Sequence, residues 1–305
     1  MVEDVVAPEA TTISAGGALT LPAEEAPFRL FLRRLLRHRS GQVGLAGVLF
    51  VVALAFFGPL LTEHSPTSVD PATRLLSPTQ AYPFGTDQLG RDVLTRILYG
   101  ASLSLPLGLV PVLIGGVAGV TLGVLVGYSD ALDLVVMRIL DVMMAVPALV
   151  MALAVIAVLG PGLEQIMLAL GIAWTPYYAR MARAQVKQAK ANGYVEFAIA
   201  AGASDLRIMF VHLLQSVAAP IIVMATIGVG DAILSGSALS FIGLGAPPPT
   251  PEWGAILRDG REFLRIAWWI SVFPGLVIVL TVVAFNLLGD ALRDTLDPRV
   301  RRTGR

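Results

Sequence analysis

An all-α membrane protein of about six spans is the fold class this sequence predicts, and three observations predict it. The first is composition: 55% of the 305 residues are hydrophobic and only 14% are charged, against about a quarter in soluble domains. So few charges cannot cover a water-facing surface of this size. The second is a set of six apolar stretches, near 43–61, 102–127, 134–159, 163–182, 217–244 and 268–289, each close to the roughly 20 residues that a crossing helix needs. The third is the placement of basic residues. With six spans and the N-terminus inside, 16 of the 22 Lys and Arg fall on the inner side, which puts both termini in the cytoplasm.

The elements follow in order. Residues 1–26 are rich in Ala, Glu, Thr and Gly without periodicity and read as a disordered tail. Residues 27–40 place Phe28, Phe31, Leu32 and Leu35 at helical spacing between arginines. That pattern suits a helix lying on the inner leaflet, or equally a simple basic flank. Residues 41–101 hold the first span and an external segment. The span starts too far along the chain, and is too long, for a cleaved signal peptide. Within the external segment, Thr86 or Asp87 can cap a helix running to about Tyr99, amphipathic through Leu89, Val93, Leu94 and Ile97.

Residues 102–290 form the core domain, with a polar loop at 183–215, and 291–305 a cytoplasmic tail. The second span is rich in glycine (Gly108, Gly115, Gly116, Gly119, Gly123, Gly127), and the fifth in small residues (Gly228, Gly230, Ser235, Gly236, Ser237, Ser240). Such residues allow helices to pack closely or to slide. Arg138 and Asp141, three apart in the third span, are expected to pair with each other. The fourth span is the weakest, since Glu164 opens it and Pro176 interrupts it. Prolines 247–249 and 251 stiffen the exit from the fifth. Trp253, Trp268 and Trp269 suit a membrane interface.

The chemistry is mostly excluded. Net charge is zero, so nothing points to a nucleic-acid partner. There is no cysteine, and the three histidines are scattered without metal-ligand spacing. Neither of the two lysines follows a glycine, so no phosphate-binding loop is present. The chain is therefore no obvious enzyme, and a transporter or channel is expected. A secondary transporter usually carries ionisable residues for ion coupling within its spans. Here the clear intramembrane candidate is Asp231, with Ser235 and Ser237 as further polar groups that could line a path.

Energy can enter instead at the cytoplasmic loop. There the stretch "YVEFAIAAGASDLR", 194–207, carries Glu196 in a first helical turn and a low face of Ala198, Ala201 and Gly202. The glycine can take the left-handed conformation that ends a helix. With Leu213 and Leu214 downstream, this stretch resembles the cytoplasmic motif of bacterial ABC importer permeases. It departs from that motif at Phe197, where alanine is usual, and at Gln215, where proline is usual. "FGTDQLGRDVLTRILYGASLSL" (84–105), "LSFIGLGAPPPTPEWGAIL" (239–257) and "FPGLVIVLTVVAFNLLGDALRDTLDPR" (273–299) resemble the dipeptide and oligopeptide branch of that family, C-type subunit. Together the resemblance spans roughly residues 28–299.

The resemblance implies a type I ABC importer permease fold with no cofactor of its own. It implies a B-type permease as partner, two ATPase subunits carrying ATP and Mg, and an extracytoplasmic binding protein. By resemblance, Tyr194, Glu196, Phe197, Ala198, Ala201, Gly202, Ala203 and Asp205 form a coupling helix and its exit, docking on an ATPase. Phe84, Gly85, Asp87, Gly90, Arg91 and Asp92 fall on the binding-protein side. Short peptides are the implied cargo, although relatives also carry nickel complexes, glutathione or haem. Relatives usually have a small residue at 231 and often a glutamate near 236. The rival from another class is a secondary transporter or channel working without ATPases.

Overall fold

The computed structural model describes residues 31–296 apart from Leu32, Arg34 and Asn192, and for Tyr194, Glu196, Ile199 and His212 the backbone alone. The expected disordered tail 1–26, half of the interfacial helix 27–40 and the end of the C-terminal tail lie outside the described residues. Every long element among these residues is a helix; the sole β pairing is an isolated bridge between Thr86 and Asp92.

We label the helices α1 (Arg39–Phe57), α2 (Val93–Tyr128), α3 (Asp130–Met144), α4 (Ala148–Leu159), α5 (Leu163–Lys190), α6 (Gly193–Ala200), α7 (Asp205–Phe241), α8 (Trp253–Gly260) and α9 (Trp269–Leu296). Four of them, α1, α2, α7 and α9, are long and apolar enough to cross a membrane, and the bent pair α3–α4 adds a fifth if counted as one span. The one remaining expected span, the fourth at 163–182, corresponds to α5. Its 28 residues reach far enough, but Trp174, Thr175, Tyr177 and Tyr178 dilute its apolar character. It can afford them because protein surrounds it: Ile166, Leu170, Pro176, Tyr178, Ala182 and Val186 are all buried.

Two expectations about helix continuity change. The stretch 134–159 is not one straight span: it bends by 90° between α3 and α4. Pro147, just before α4, lacks an N–H and restricts Val146 to extended backbone, so the helix cannot run through. Conversely, among the described residues no separate α-helix lies between the first and second spans, only short 3-10 turns at Gly58–Leu61 and Pro71–Thr73. Residues 86–92 are a loop, and the helix starts only at Val93, where the Asp92 carboxylate accepts from the N–H (3.0 Å) and hydroxyl (2.6 Å) of Thr95. It then runs 36 residues to Tyr128 through Pro106 and Pro111, about 54 Å at 1.5 Å per residue. The boundary drawn at 101/102 therefore falls inside α2, and the one at 290/291 inside α9.

α2 packs most extensively on α5, and glycine makes that seam. A Cβ on Gly119 would stand 2.5 Å from the Thr175 carbonyl oxygen, and one on Gly123 2.4 Å from that of Ala179. The backbones touch directly, as small-xxx-small packing permits. α7 packs against both helices of this pair, and α9 packs against α7, with Gly289 against Ile227 and Gly230 against Val282. α1 is peripheral and leans on α9, where Gly44 meets the backbone of Leu288. A Cβ on Gly236 would meet Leu107 Cγ at 2.6 Å, so any side chain at 236 would have to displace Leu107.

Candidate functional site

The length of α2 separates two polar clusters, one at each end of the bundle, with an open groove between them. At the α2 N-terminus, Asp87 is fully buried. Its Oδ1 accepts from the N–H groups of Leu89 (2.8 Å) and Arg91 (3.0 Å). Its Oδ2 accepts from Arg91 Nε (2.6 Å) and Arg96 Nη1 (2.7 Å). Both arginines are buried too, and both reach Asp259 Oδ2 on α8, at 3.4 and 3.2 Å. Arg258 also reaches Asp259, at Oδ1 and 3.3 Å, so two acids and three bases form one network joining the 84–92 loop, α2 and α8.

The rest of that loop is held as tightly. Phe84 stacks on Phe273 of α9, with ring centroids 4.1 Å apart. Gly85 and Gly90 both have positive φ, +72° and +76°, and a Cβ at Gly90 would lie 1.8 Å from the Asp70 carbonyl oxygen. Phe84, Gly85, Asp87, Gly90, Arg91 and Asp92 are therefore brought together as expected of one segment, but their side chains turn inward. Leu89 is the residue of this stretch that faces out.

Sequence reasoning missed Arg96, Asp259 and Glu252 in this region. Glu252 is fully buried and caps α8 through the N–H groups of Gly254 (2.7 Å) and Ala255 (2.9 Å). Burial pushes its carboxyl above the usual range, against the pull of those two N–H groups. The proline run just before it was the available signal for a fixed helix entry. Two tryptophans are also corrected from interface to core. Trp253 is fully buried and donates to the Ile97 carbonyl at 3.0 Å, and Trp269 donates to that of Thr86 at 3.1 Å. Trp268 remains half exposed.

At the opposite end, α6 stops at Gly202, which has φ +79°. The Ala203 N–H returns to the Ala198 carbonyl at 3.1 Å, the long bond of a Schellman cap. Val195 points inward and is buried with Val186, Ile208 and Leu213. Phe197 does the reverse and is 76% exposed; Ala201 and Gly202 are exposed beside it, and nothing lies within 4 Å of a Cβ built on Gly202. Asp205 accepts from the Tyr128 hydroxyl, and Lys190 donates to the Tyr128 carbonyl at 2.8 Å. The last residue of α2 is thus tied both to the end of α5 and to the segment after α6. Where a proline is usual, Gln215 lies within α7, which runs unbroken from a π turn at Ile208–Leu213.

Neighbouring charges pair across helices rather than along them. Asp141 is bonded by Arg180 of α5, not by Arg138. Asp133 takes both Arg183 and Lys187 of α5.

Between the two ends, α5, α7 and the C-terminal turn of α9 enclose an open groove of about 1090 Å³. Asp231 and Ser235 line it, together with Tyr177, Tyr178, Gln185 and Arg293. Ser237, the third expected lining residue, is turned away and buried among the helices. The helical period explains the split: 228, 231 and 235 share one face of α7, and 237 lies off it.

Comparison with known proteins agrees with this architecture. The family described as binding-protein-dependent transport system inner membrane component matches residues 119–302. The chain belongs to that family. Residues 26–78 further match the N-terminal transmembrane domain of oligopeptide transport permease C. The dipeptide transport system permease protein DppC of Alkalihalophilus pseudofirmus is 42% identical over 90% of this chain and 91% of its own length. The di/tripeptide transport system permease protein DppC of Pseudomonas aeruginosa is 40% identical over 90% and 93%. The glutathione transport system permease protein GsiD of Pectobacterium atrosepticum is 41% identical over 90% and 92%. An inward-facing structure of the MetNI methionine ABC transporter aligns with a TM-score of 0.52 at 20% identity, over 66% of this chain and 97% of that one, which shows the fold. This chain is the membrane permease component of an ABC importer, all-helical and multi-pass.

Proposed function

We propose that this permease forms half of a translocation path for short peptides. It pairs with a B-type permease above two ATPase subunits that carry ATP and Mg, and an extracytoplasmic binding protein delivers the cargo. The peptide-permease names of relatives near 40% identity support the cargo. Both termini lie in the cytoplasm, as the bias of basic residues favours. The groove beside Asp231 and Ser235 is this chain's share of the path. The binding protein meets the end where the buried charge network braces the 84–92 loop.

The observation that carries the coupling reading is the exposed face of α6. A phenylalanine 76% exposed at a helix held from behind by a buried valine is a surface waiting for a partner. Burying a phenylalanine is worth roughly 1.5–3 kcal/mol. Phe197→Ala is expected to weaken ATPase docking by about tenfold or more at about 1.4 kcal/mol per decade, read as loss of co-purifying ATPase. Unchanged co-purification would place the docking surface elsewhere.

Gly202→Asp tests the same surface differently. Space around residue 202 is open, so the cost within this chain is the left-handed backbone, about 1–2 kcal/mol. Membrane level and permease pairing should persist while uptake falls, and Glu196→Lys should act alike. Normal uptake by both variants would exclude the loop as the coupling element.

A further inference from the structure

We propose that Asp231, with the hydroxyls of Ser235 and Tyr178, forms a station for a primary ammonium group inside the groove. It would meet the free N-terminus of a peptide or a lysine side chain in transit. The proposal rests on the reading of the groove as a path and adds the chemistry that the path selects.

The first support is an acid without a counter-ion. Asp231 is exposed to the groove, and among the described residues no hydrogen bond or ion pair reaches its carboxylate. A lone carboxylate well inside a membrane span costs about 2.5–3.5 kcal/mol on insertion scales unless water or a partner meets it. Among the described residues lining the groove, Arg293 is the sole base. It is out of reach. α7 and α9 run antiparallel with Gly289 level with Ile227, so Asp231 and Arg293 lie four residues to either side of that level. The offset is about 12 Å along the axes. The groove therefore has an acidic station at one height and a basic one well away from it.

The second support is what surrounds the acid. An ammonium offers three N–H donors and wants three acceptors. Ser235 stands one turn further along the same face of α7. The Tyr178 hydroxyl reaches over from α5 to the turn before: a Cβ on Gly228 would come within 2.9 Å of it. Glycine at 228 keeps that approach open. Trp174 and Tyr177 line the same groove, and aromatic rings attract cations. One carboxylate, two hydroxyls and aromatic walls fit a small cation and disfavour an anion.

The absence of native cysteine allows a test that needs neither transport nor the binding protein. Leu234 lines the groove beside the station but is not part of it. The whole complex carries Leu234→Cys, its partners cleared of cysteine. Labelling rates are compared for a trimethylammonium and a sulfonate methanethiosulfonate reagent. With Asp231 present, the cationic reagent should gain about tenfold over its intrinsic advantage, as one charge a few ångströms away in a partly hydrated site predicts. Asp231→Asn should abolish the gain and Asp231→Glu should keep it. Trialanine should slow labelling, and N-acetyl-trialanine should not. Labelling without charge preference, or with a preference that survives Asp231→Asn, overturns the ammonium station and leaves the path intact. No labelling by either water-soluble reagent would overturn the path itself.

Discussion

Asp87→Asn should remove most of the folded protein from the membrane. The replacement keeps the shape and loses the charge that two buried arginines share. Arg91 and Arg96 are 2% and 1% exposed, and Asp87 supplies the short bond to each, at 2.6 and 2.7 Å. What remains is Asp259, at 3.4 and 3.2 Å, one negative charge that the two arginines must share with Arg258 at 3.3 Å. Breaking a buried pair by removing one partner costs roughly 3–5 kcal/mol, a large share of the 5–15 kcal/mol that holds a typical domain folded. Membrane level and thermal unfolding in detergent read the effect. Asp259→Asn should cost less, because Asp259 is 12% exposed and its bonds are longer. Normal level and unchanged melting of Asp87→Asn would mean the network does not brace this end. Its position gives the effect a functional side under the proposed coupling: it joins α2 to α8, so loosening it frees one end of the helix whose other end, Tyr128, touches the segment after α6.

The long apolar helices were legible because their signal is local. α1, α7 and α9 each occupy one of the apolar stretches, and no partner is needed to see them. The same signal misled at Pro147, where the run stays apolar on both sides and only the proline marks the 90° turn. It misled again at 86–92, where Asp87 and Arg91 looked like a cap and a polar face. Asp87 is instead held by Arg91 and Arg96, and both arginines also reach Asp259, 168 residues from Arg91, a distance at which periodicity is silent. Asp141 was misassigned for the same reason: an arginine three residues away competes with Arg180 on another helix. Trp253 and Trp269 were read as interface anchors because indole rings favour interfaces, yet their N–H groups found buried carbonyls instead. In the groove, Asp231 and Ser235 followed the helical face, while Ser237 could be placed only once the face of α7 was known. At the coupling segment Gly202 was legible from its motif, but the outward turn of Phe197 follows from Val195 taking the inner side.

Gly123→Leu should abolish assembly of the permease, whereas Gly116→Ala, two turns away on the same helix, should be tolerated. At Gly123 a Cβ would fall 2.4 Å from the Ala179 carbonyl oxygen and 2.6 Å from Ala182 Cβ; at Gly116 the nearest atom is 4.0 Å away. The obstacle at 123 is backbone, which cannot swing aside, so the helices must part. Gly119 and Gly127 lie one turn to either side of Gly123 on the same seam, so parting at 123 also opens their contacts. Overpacking in soluble cores costs roughly 1–3 kcal/mol, and here several contacts of one seam are lost together. In lipid no hydrophobic force restores them, since tails are as apolar as the leucine, and close packing is the main term that held the pair. Membrane level and the melting temperature of the purified importer should separate the two variants clearly. Equal levels and equal melting would show that the seam yields without cost. The seam ends at Tyr128, which Lys190 and Asp205 hold against α5 and the coupling segment. Gly127→Ala, whose Cβ would meet Val186 Cβ at 2.7 Å, should therefore leave more protein in the membrane than Gly123→Leu. It should still depress uptake relative to ATP hydrolysis, because it shifts the junction through which α6 reaches α2.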